Sequence, residues 1–140
     1  MTIAIINGPN LNLLGKREPE VYGAESFDTF LTSLRKRFAA VTIEYYQSNV
    51  EGELINEIQR AGFSCDGIIL NPGGYTHTSV AIGDAVAAIK APVIEVHISN
   101  VHAREEFRRH SFVSPKAAGT ICGLGLEGYA LAMQWLTSRA

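Results

Sequence analysis

The chain alternates short apolar runs with longer segments whose apolar residues recur at helical spacing. The runs predict five strands, at residues 2–7, 41–47, 67–71, 93–97 and 119–122. Strands that alternate with helices form a parallel sheet covered on both faces, because the crossovers between parallel strands are right-handed. A chain of 140 residues has the size of one domain, so we expect residues 1–140 to form a single α/β unit.

Each intervening segment has one apolar face, which predicts an amphipathic helix. The faces consist of Phe27, Phe30, Leu31, Leu34 and Phe38; of Leu54, Ile55, Ile58 and Ala61; of Ile82, Ala85, Val86 and Ile89; and of Leu124, Gly128, Leu131 and Trp135. This arrangement suits a flavodoxin-like doubly wound sheet with strand order 2-1-3-4-5. Ligands of such folds bind at the carboxyl ends of the strands, so we expect functional residues there.

The first connection, residues 8–25, is unusually long. It has 18 residues, whereas the connections in α/β units usually have about 2–6. A connection of this length indicates a lid or a binding loop. It contains Arg17 and Tyr22, and a guanidinium close to a phenol favours the phenolate form. By spacing alone, a surface tyrosine that packs the loop is the simpler interpretation.

The fourth strand carries polar residues where a central parallel strand should be apolar. Glu95, His97 and Ser99 lie two apart, which places them on one face at its carboxyl end. A buried carboxylate requires a partner, and His97 is the nearest candidate. A carboxylate beside an imidazole stabilises the protonated ring and fixes its tautomer, which suits a general acid. If the strand lies near an edge of the sheet, the three residues are instead solvated.

The third strand ends at Asn71 and is followed by a Gly-rich turn that leads to His77. Such a turn presents free N–H groups to an anion, although its spacing differs from that of a P-loop. His77 could bind a ligand or only hydrogen-bond near a helix start. Farther on, Arg108 and Arg109 could meet a substrate carboxylate, whereas the run Arg104-Glu105-Glu106 is typical of a solvated face.

Composition excludes several other classes of function. Twelve basic and 14 acidic residues give a net charge of −2, so we expect no nucleic-acid or anionic-lipid partner. No apolar stretch approaches the roughly 20 residues of a membrane span, and the first residues do not resemble a signal peptide, so we expect a cytoplasmic protein. Cys65 and Cys122 lack metal or disulfide spacing and are expected to be buried thiols. Four scattered histidines indicate no metal site.

Three motifs occur in register with a known family. Residues 8–15 read GPNLNLLG and precede Arg17-Glu18-Pro19 and Tyr22-Gly23; residues 71–79 read NPGGYTHTS; residues 95–100 read EVHISN and precede Arg104-Glu105 and Phe107-Arg108. This order resembles the type II 3-dehydroquinate dehydratases, from the first strand to Gly128-Tyr129. The resemblance implies a hydro-lyase that converts 3-dehydroquinate to 3-dehydroshikimate and water by anti elimination through an enolate, without a metal or an organic cofactor.

The resemblance also implies catalytic roles by motif position. Tyr22 would remove the C2 proton as a tyrosinate activated by Arg17. Asn10 would hold a water molecule that stabilises the enolate. His97, oriented by Glu95, would protonate the departing C1 hydroxyl.

The substrate-binding residues follow from the same motifs. Asn71, His77 and Arg108 would bind substrate hydroxyls, and Ile98-Ser99 would bind the carboxylate. Asp84 would reach the site of a neighbouring subunit, since family members form trimers that stack into dodecamers. The pathway implied is aromatic amino acid biosynthesis (the shikimate pathway), with quinate catabolism as the alternative.

Other functions of the same fold are less consistent with the sequence. A Schiff-base mechanism needs a lysine in the site, and none of the four lysines falls on a predicted strand. A receiver domain needs an aspartate at the end of the third strand, where this chain has Asn71. A flavin carrier needs a hydroxyl-rich loop after the first strand, which GPNLNLLG lacks. Gly83 and Val50 depart from the family pattern, where Arg and a polar residue are frequent, and this bears on subunit packing.

Overall fold

A computed structural model describes residues 1–16, 18–22 and 24–139. It contains a parallel sheet with the order β2-β1-β3-β4-β5, which confirms the predicted flavodoxin-like topology. The strands are β1 (Thr2–Asn7), β2 (Thr42–Gln47), β3 (Gly67–Asn71), β4 (Val93–His97) and β5 (Gly119–Cys122). Their bounds differ from the predicted ones only at the start of β2. Because β4 lies between β3 and β5, its polar residues are not on an edge strand.

The helices are α1 (Pro19–Tyr22), α2 (Phe27–Arg37), α3 (Glu51–Ser64), α4 (Val80–Ala88) and α5 (Glu127–Thr137). Short 3₁₀ segments form most of the ordered connections: Leu11–Leu13, Gly73–His77, Val101–Ala103, Glu106–Arg109 and Ser114–Lys116. The long first connection is therefore partly helical, and α1 carries Tyr22. In the described ranges, no helix is long and apolar enough to cross a membrane.

Two apolar layers cover the sheet, because alternate residues of each strand point to opposite faces. Helices α2 and α5 cover one face, where they pack on Ile3, Ile5 and Ile94. Helices α3 and α4 cover the other, which includes Ile68 and Val93. Cys65 and Cys122 are free but only half-buried, so the prediction of buried thiols is wrong.

The predicted apolar face of the last helix is wrong for Leu124 and Trp135, although Gly128 is buried as predicted. Leu124 is 57% exposed and Trp135 is 40% exposed, whereas Tyr129, Met133 and Leu136 are buried. The helix turns Tyr129 inward because its hydroxyl has polar partners inside the molecule, as described below. A tyrosine was not expected to anchor the buried face.

Gly83 has a packing role inside the chain. It is buried in α4, and a β-carbon there would overlap the carbonyl oxygen of Phe112. The segment around Phe112 can therefore lie directly on α4. The same segment also donates a backbone hydrogen bond from Phe112 to the carbonyl of Thr76, at 2.8 Å.

We expect Gly83→Ala to lower the free energy of unfolding by about 1–3 kcal/mol, since the added methyl must displace backbone. The matched control is Gly52→Ala in α3, where a β-carbon meets open space. That change should raise the free energy of unfolding by roughly 0.5–1 kcal/mol through helix propensity. Urea unfolding of both variants measures the difference, and equal effects at the two positions would contradict the close packing of Gly83.

Candidate active site

A cavity of about 140 Å³ opens at the carboxyl ends of the central strands, where doubly wound folds bind ligands. Most of the residues predicted for the site line it. They are Asn10, Tyr22, Asn71, His77, His97, Ile98, Ser99 and Arg108, and they are joined by Pro9, Leu11, Leu14, Gly73, Gly74, Val101 and Arg104.

Two of the other predicted residues, Glu95 and Asp84, do not line the cavity. Glu95 lies directly behind His97 in β4, with no exposed surface. Asp84 is exposed on α4, so within one chain it is not part of the site. Arg17 lies outside the described residues.

The Glu95–His97 pair is the best-defined polar contact of the site. His97 Nε2 donates to Glu95 Oε2 at 2.5 Å, which leaves Nδ1 as the ring nitrogen available to the cavity. Glu95 also accepts from Thr76 Oγ1 at 2.6 Å and from Ser114 Oγ at 2.5 Å. Burial raises the pKa of Glu95, but the bond and charge of His97 and the two hydroxyls outweigh it and hold the pKa below its usual range.

His77 stacks near the His97 ring, with the two ring centroids 6.4 Å and the ring planes 19° apart. Its Nδ1 donates to the carbonyl oxygen of His110 at 2.8 Å, because a carbonyl can only accept. Burial lowers the pKa of His77, and the nearby charges of His97 and Arg108 lower it further against the effect of the His110 carbonyl. A neutral His77 with an occupied Nδ1 presents Nε2 as an acceptor, which suits a ligand hydroxyl.

Arg104 is a site residue that the sequence analysis did not identify. Its Nη1 donates to the Tyr22 hydroxyl oxygen at 3.0 Å and to Ser99 Oγ at 3.2 Å. The guanidinium carbon also lies 5.6 Å from the centre of the Tyr22 ring. The expectation that residues 104–106 form a solvated face is therefore wrong for Arg104, which is half-buried. Its position shortly after the polar end of β4 is the one sequence feature that indicates a place near the site.

Arg108 reaches the cavity from the next 3₁₀ segment. Its Nε donates to Glu105 Oε2 at 2.7 Å, and its guanidinium carbon lies 5.0 Å from the centre of the Phe107 ring. The Phe107 ring in turn meets His77 edge to face at a centroid distance of 5.8 Å. These contacts hold a second cation at the rim of the cavity.

Asn10 lines the cavity in a strained backbone conformation. Its φ is 71°, a left-handed value that asparagine tolerates better than most residues. Its backbone N–H donates to Asn49 Oδ1 at 2.9 Å. The loop after β1 is thereby tied to the loop after β2, next to the Gly-rich turn after β3.

A buried chain of side chains sets the orientation of Asn71. Asn71 Nδ2 donates to the Tyr129 hydroxyl at 2.9 Å, which donates to Asn7 Oδ1 at 2.8 Å. Asn7 Nδ2 donates in turn to the Tyr45 hydroxyl at 3.3 Å, and Asn71 Oδ1 accepts from the N–H of Gly73 at 3.1 Å. Burial raises the pKa of Tyr129, so its hydroxyl keeps its proton.

We expect Tyr129→Phe to lower the free energy of unfolding by about 1–3 kcal/mol, since it leaves buried amide groups of Asn7 and Asn71 without their partner. The control is Tyr75→Phe, whose hydroxyl donates to the carbonyl of Asn49 at 2.8 Å near solvent. That change should cost at most about 1 kcal/mol, because water can replace the bond. Urea unfolding compares the two, and an equally small cost at Tyr129 would argue against the buried chain.

Within residues 1–16, 18–22 and 24–139, no group of three or more His, Cys, Asp or Glu side chains is arranged to hold a metal ion. The polar groups that the cavity does offer are a buried carboxylate–imidazole pair on one strand and a phenol beside a guanidinium. Such a pair of groups can remove one proton and deliver another within one site.

Comparison with known proteins identifies relatives over nearly the whole chain. The family model described as "Dehydroquinase class II" matches residues 1–137. A protein of Roseiflexus castenholzii named 3-dehydroquinate dehydratase is 54% identical over 138 residues, covering 97% of this chain and 88% of that protein. A protein of Aspergillus oryzae named catabolic 3-dehydroquinase is 53% identical over 135 residues, covering 95% and 88%.

The fold comparison gives the same relationship. The crystal structure of a type II dehydroquinase from Butyrivibrio crossotus matches this chain with a TM-score of 0.94 and 48% identity. The match covers 98% of this chain and 97% of that one. Sequence and fold therefore agree along the same residues, including those that line the cavity.

Proposed function

Because the chain belongs to the type II dehydroquinase family, we propose that it converts 3-dehydroquinate to 3-dehydroshikimate and water by anti elimination through an enolate. The observation that carries the proposal is the presence of two proton-transfer groups in one cavity. His97 is paired with buried Glu95, and Tyr22 is bonded to Arg104. The relatives favour this enzyme over a receiver or ligand-binding domain of the same fold.

The first step is removal of the C2 proton, which is acidic because it lies next to the C3 ketone. Tyr22 acts as the base in its phenolate form, and the guanidinium of Arg104 stabilises that anion by a charge-assisted hydrogen bond. Arg17 shares this role in the interpretation by resemblance. The electron pair of the C2–H bond moves onto the carbonyl and forms an enolate, which a water molecule held by Asn10 stabilises.

The second step is loss of the C1 hydroxyl. Hydroxide is a poor leaving group, so His97 in its protonated form donates a proton to that oxygen as the C1–O bond breaks. The enolate electrons form the C1–C2 double bond, the C3 ketone is restored and water leaves. Glu95 balances the charge on the imidazolium and keeps Nε2 protonated. Solvent then returns His97 and Tyr22 to their starting protonation states.

The remaining residues of the cavity hold the substrate in this account. Asn71, His77 and Arg108 bind its hydroxyls, with His77 acting as an acceptor through Nε2. The loop at Ile98-Ser99 binds its carboxylate. The base lies on the long first connection, residues 8–25, which we propose acts as a lid that excludes water during the reaction.

Assembly and pathway complete the proposal. Asp84 is exposed, as a residue that reaches a neighbouring subunit must be, and we propose trimers that stack into dodecamers. We propose a cytoplasmic enzyme of aromatic amino acid biosynthesis in the shikimate pathway. Quinate catabolism is the alternative, and one of the relatives reported above is named a catabolic 3-dehydroquinase.

The activity itself is tested by adding 3-dehydroquinate and following the absorbance of the conjugated enone product. We expect turnover by the wild type, a fall of about 10²–10⁴-fold in kcat for His97→Ala, and little change in KM, because the proton matters in the transition state. Glu95→Gln should lose less than His97→Ala, since it removes the charge that favours the imidazolium but leaves the ring that carries the proton. Absence of product with folded wild type would contradict the function; near-normal kcat in His97→Ala would contradict the acid.

The base is tested by exchange of the C2 proton with deuterated solvent. Tyr22→Phe keeps the ring and removes only the ionisable oxygen, so it should abolish exchange while substrate binding stays within a few fold. Arg104→Ala should slow turnover at neutral pH by roughly 10- to 100-fold, the value of a hydrogen bond to a charged group. Exchange at the normal rate in Tyr22→Phe would require another base.

A further inference from the structure

Three hydroxyl groups surround the buried carboxylate of Glu95 on the side away from the cavity. Thr76 comes from the 3₁₀ segment after β3, and Ser111 and Ser114 come from the connection between β4 and β5. Thr76 Oγ1 lies 2.6 Å from Glu95 Oε2, and Ser114 Oγ lies 2.5 Å from Oε1. Ser111 Oγ lies 2.6 Å from Thr76 Oγ1 and 3.5 Å from both carboxylate oxygens. None of these hydroxyls lines the cavity.

The direction of these hydrogen bonds follows because each hydroxyl has one proton to donate and an ionised carboxylate has none. Ser111 Oγ accepts from the backbone N–H groups of Val113 and Ser114, at 3.0 and 2.9 Å, so its own proton is free to be donated. An ionised carboxylate only accepts, so Thr76 donates to Glu95 and accepts from Ser111. Each bond polarises the next, and the whole chain ends on the carboxylate.

We propose that Thr76 and Ser114 are positioning residues that keep Glu95 ionised, so that the proton shared with His97 stays on the imidazole. The proposal rests on the function proposed above, in which His97 is the acid. A buried carboxylate with one partner can relieve the cost of its charge by taking the proton from that partner. His97 would then be a neutral imidazole, whose remaining Nδ1–H is a much weaker acid toward the substrate.

Among the residues that the structure describes, few charged groups lie near Glu95, so its ionised form depends on the hydroxyl donors. The titratable groups that face it are His97 on its own strand and, farther away, His77. The neighbours in register on β3 and β5 are Leu70 and Thr120, which are uncharged. The buried side chains of α4, on the same side of the sheet, are apolar: Ile82, Ala85 and Val86. In the described part of the chain, no Lys or Arg forms an ion pair with Glu95.

A merely structural role for the hydroxyls would give different results. The same bonds also join three segments of the chain, so their loss could lower stability without affecting the proton. Such a loss would be independent of pH. A role in holding the charge acts only while Glu95 is ionised, and this difference separates the two cases.

The first readout is the pH profile of kcat for Thr76→Val and Ser114→Ala. We expect a lower plateau kcat and an alkaline limb that moves to higher pH by more than half a unit in each variant and further in the double variant, because loss of the last proton from the pair leaves Glu95 charged without its hydroxyls. KM should stay within about threefold of wild type. Thr76→Ser keeps the hydroxyl and should restore the limb. Thr137→Val removes an exposed hydroxyl near the end of α5 and should leave the profile unchanged.

The second readout does not need activity. Glu95 has a lowered pKa, so its contribution to stability is present above the ordinary carboxyl pKa and is lost as pH falls through the lowered value. The difference in unfolding free energy between wild type and Thr76→Val should therefore be largest near neutral pH and shrink on acidification.

A constant difference at all pH values, with an unmoved alkaline limb, would overturn the proposal. So would a uniform fall in kcat without a change in the profile, because it would assign the hydroxyls a structural role. Absence of turnover by the wild type, together with a difference that shrinks on acidification, would overturn the proposed function while supporting the charge-holding role of the hydroxyls.

Discussion

The site is organised around one charge, the carboxylate of Glu95, which has no exposed surface in a central strand of a parallel sheet. Burying this charge is costly unless hydrogen bonds replace its hydration. The donors come from three places: His97 on β4, Thr76 after β3, and Ser114 before β5. The connection that follows β4 contains three 3₁₀ segments and supplies both the serine hydroxyls near Glu95 and the cavity residues Arg104 and Arg108.

The two proposed proton-transfer groups, His97 and Tyr22, are held in place by different sets of hydrogen bonds. The proposed acid, His97, is on a strand and is held from behind by a buried network. The proposed base, Tyr22, is on α1, a single turn in the long first connection, and its hydroxyl accepts from Arg104, which also donates to Ser99. Between them, the Tyr129 hydroxyl fixes the amides of Asn7 and Asn71, which are register partners at the ends of β1 and β3.

Local patterns were sufficient to predict the strands, their order and the Glu95–His97 pair, because these depend on residues close together in sequence or on fixed topology. The contact between Arg104 and Tyr22 joins residues 82 positions apart, and that between Tyr129 and Asn7 joins residues 122 apart. Neither has a periodicity that reveals it, so Arg104 was assigned to a solvated run and Tyr129 was left out of the buried face. The catalytic and binding roles of all the site residues, including Arg17 and Asp84, stay predictions.

The central claim is that Glu95 is a charged carboxylate and that the imidazole holds the proton between them. Infrared difference spectroscopy between the wild type and Glu95→Gln at neutral pH reports this directly, because the two forms of a carboxyl group absorb at different frequencies. The account predicts that the bands lost on substitution are those of an ionised carboxylate. Loss of a protonated carboxyl band would contradict it, since the shared proton would then belong to Glu95 and His97 would be a neutral imidazole and a much weaker acid.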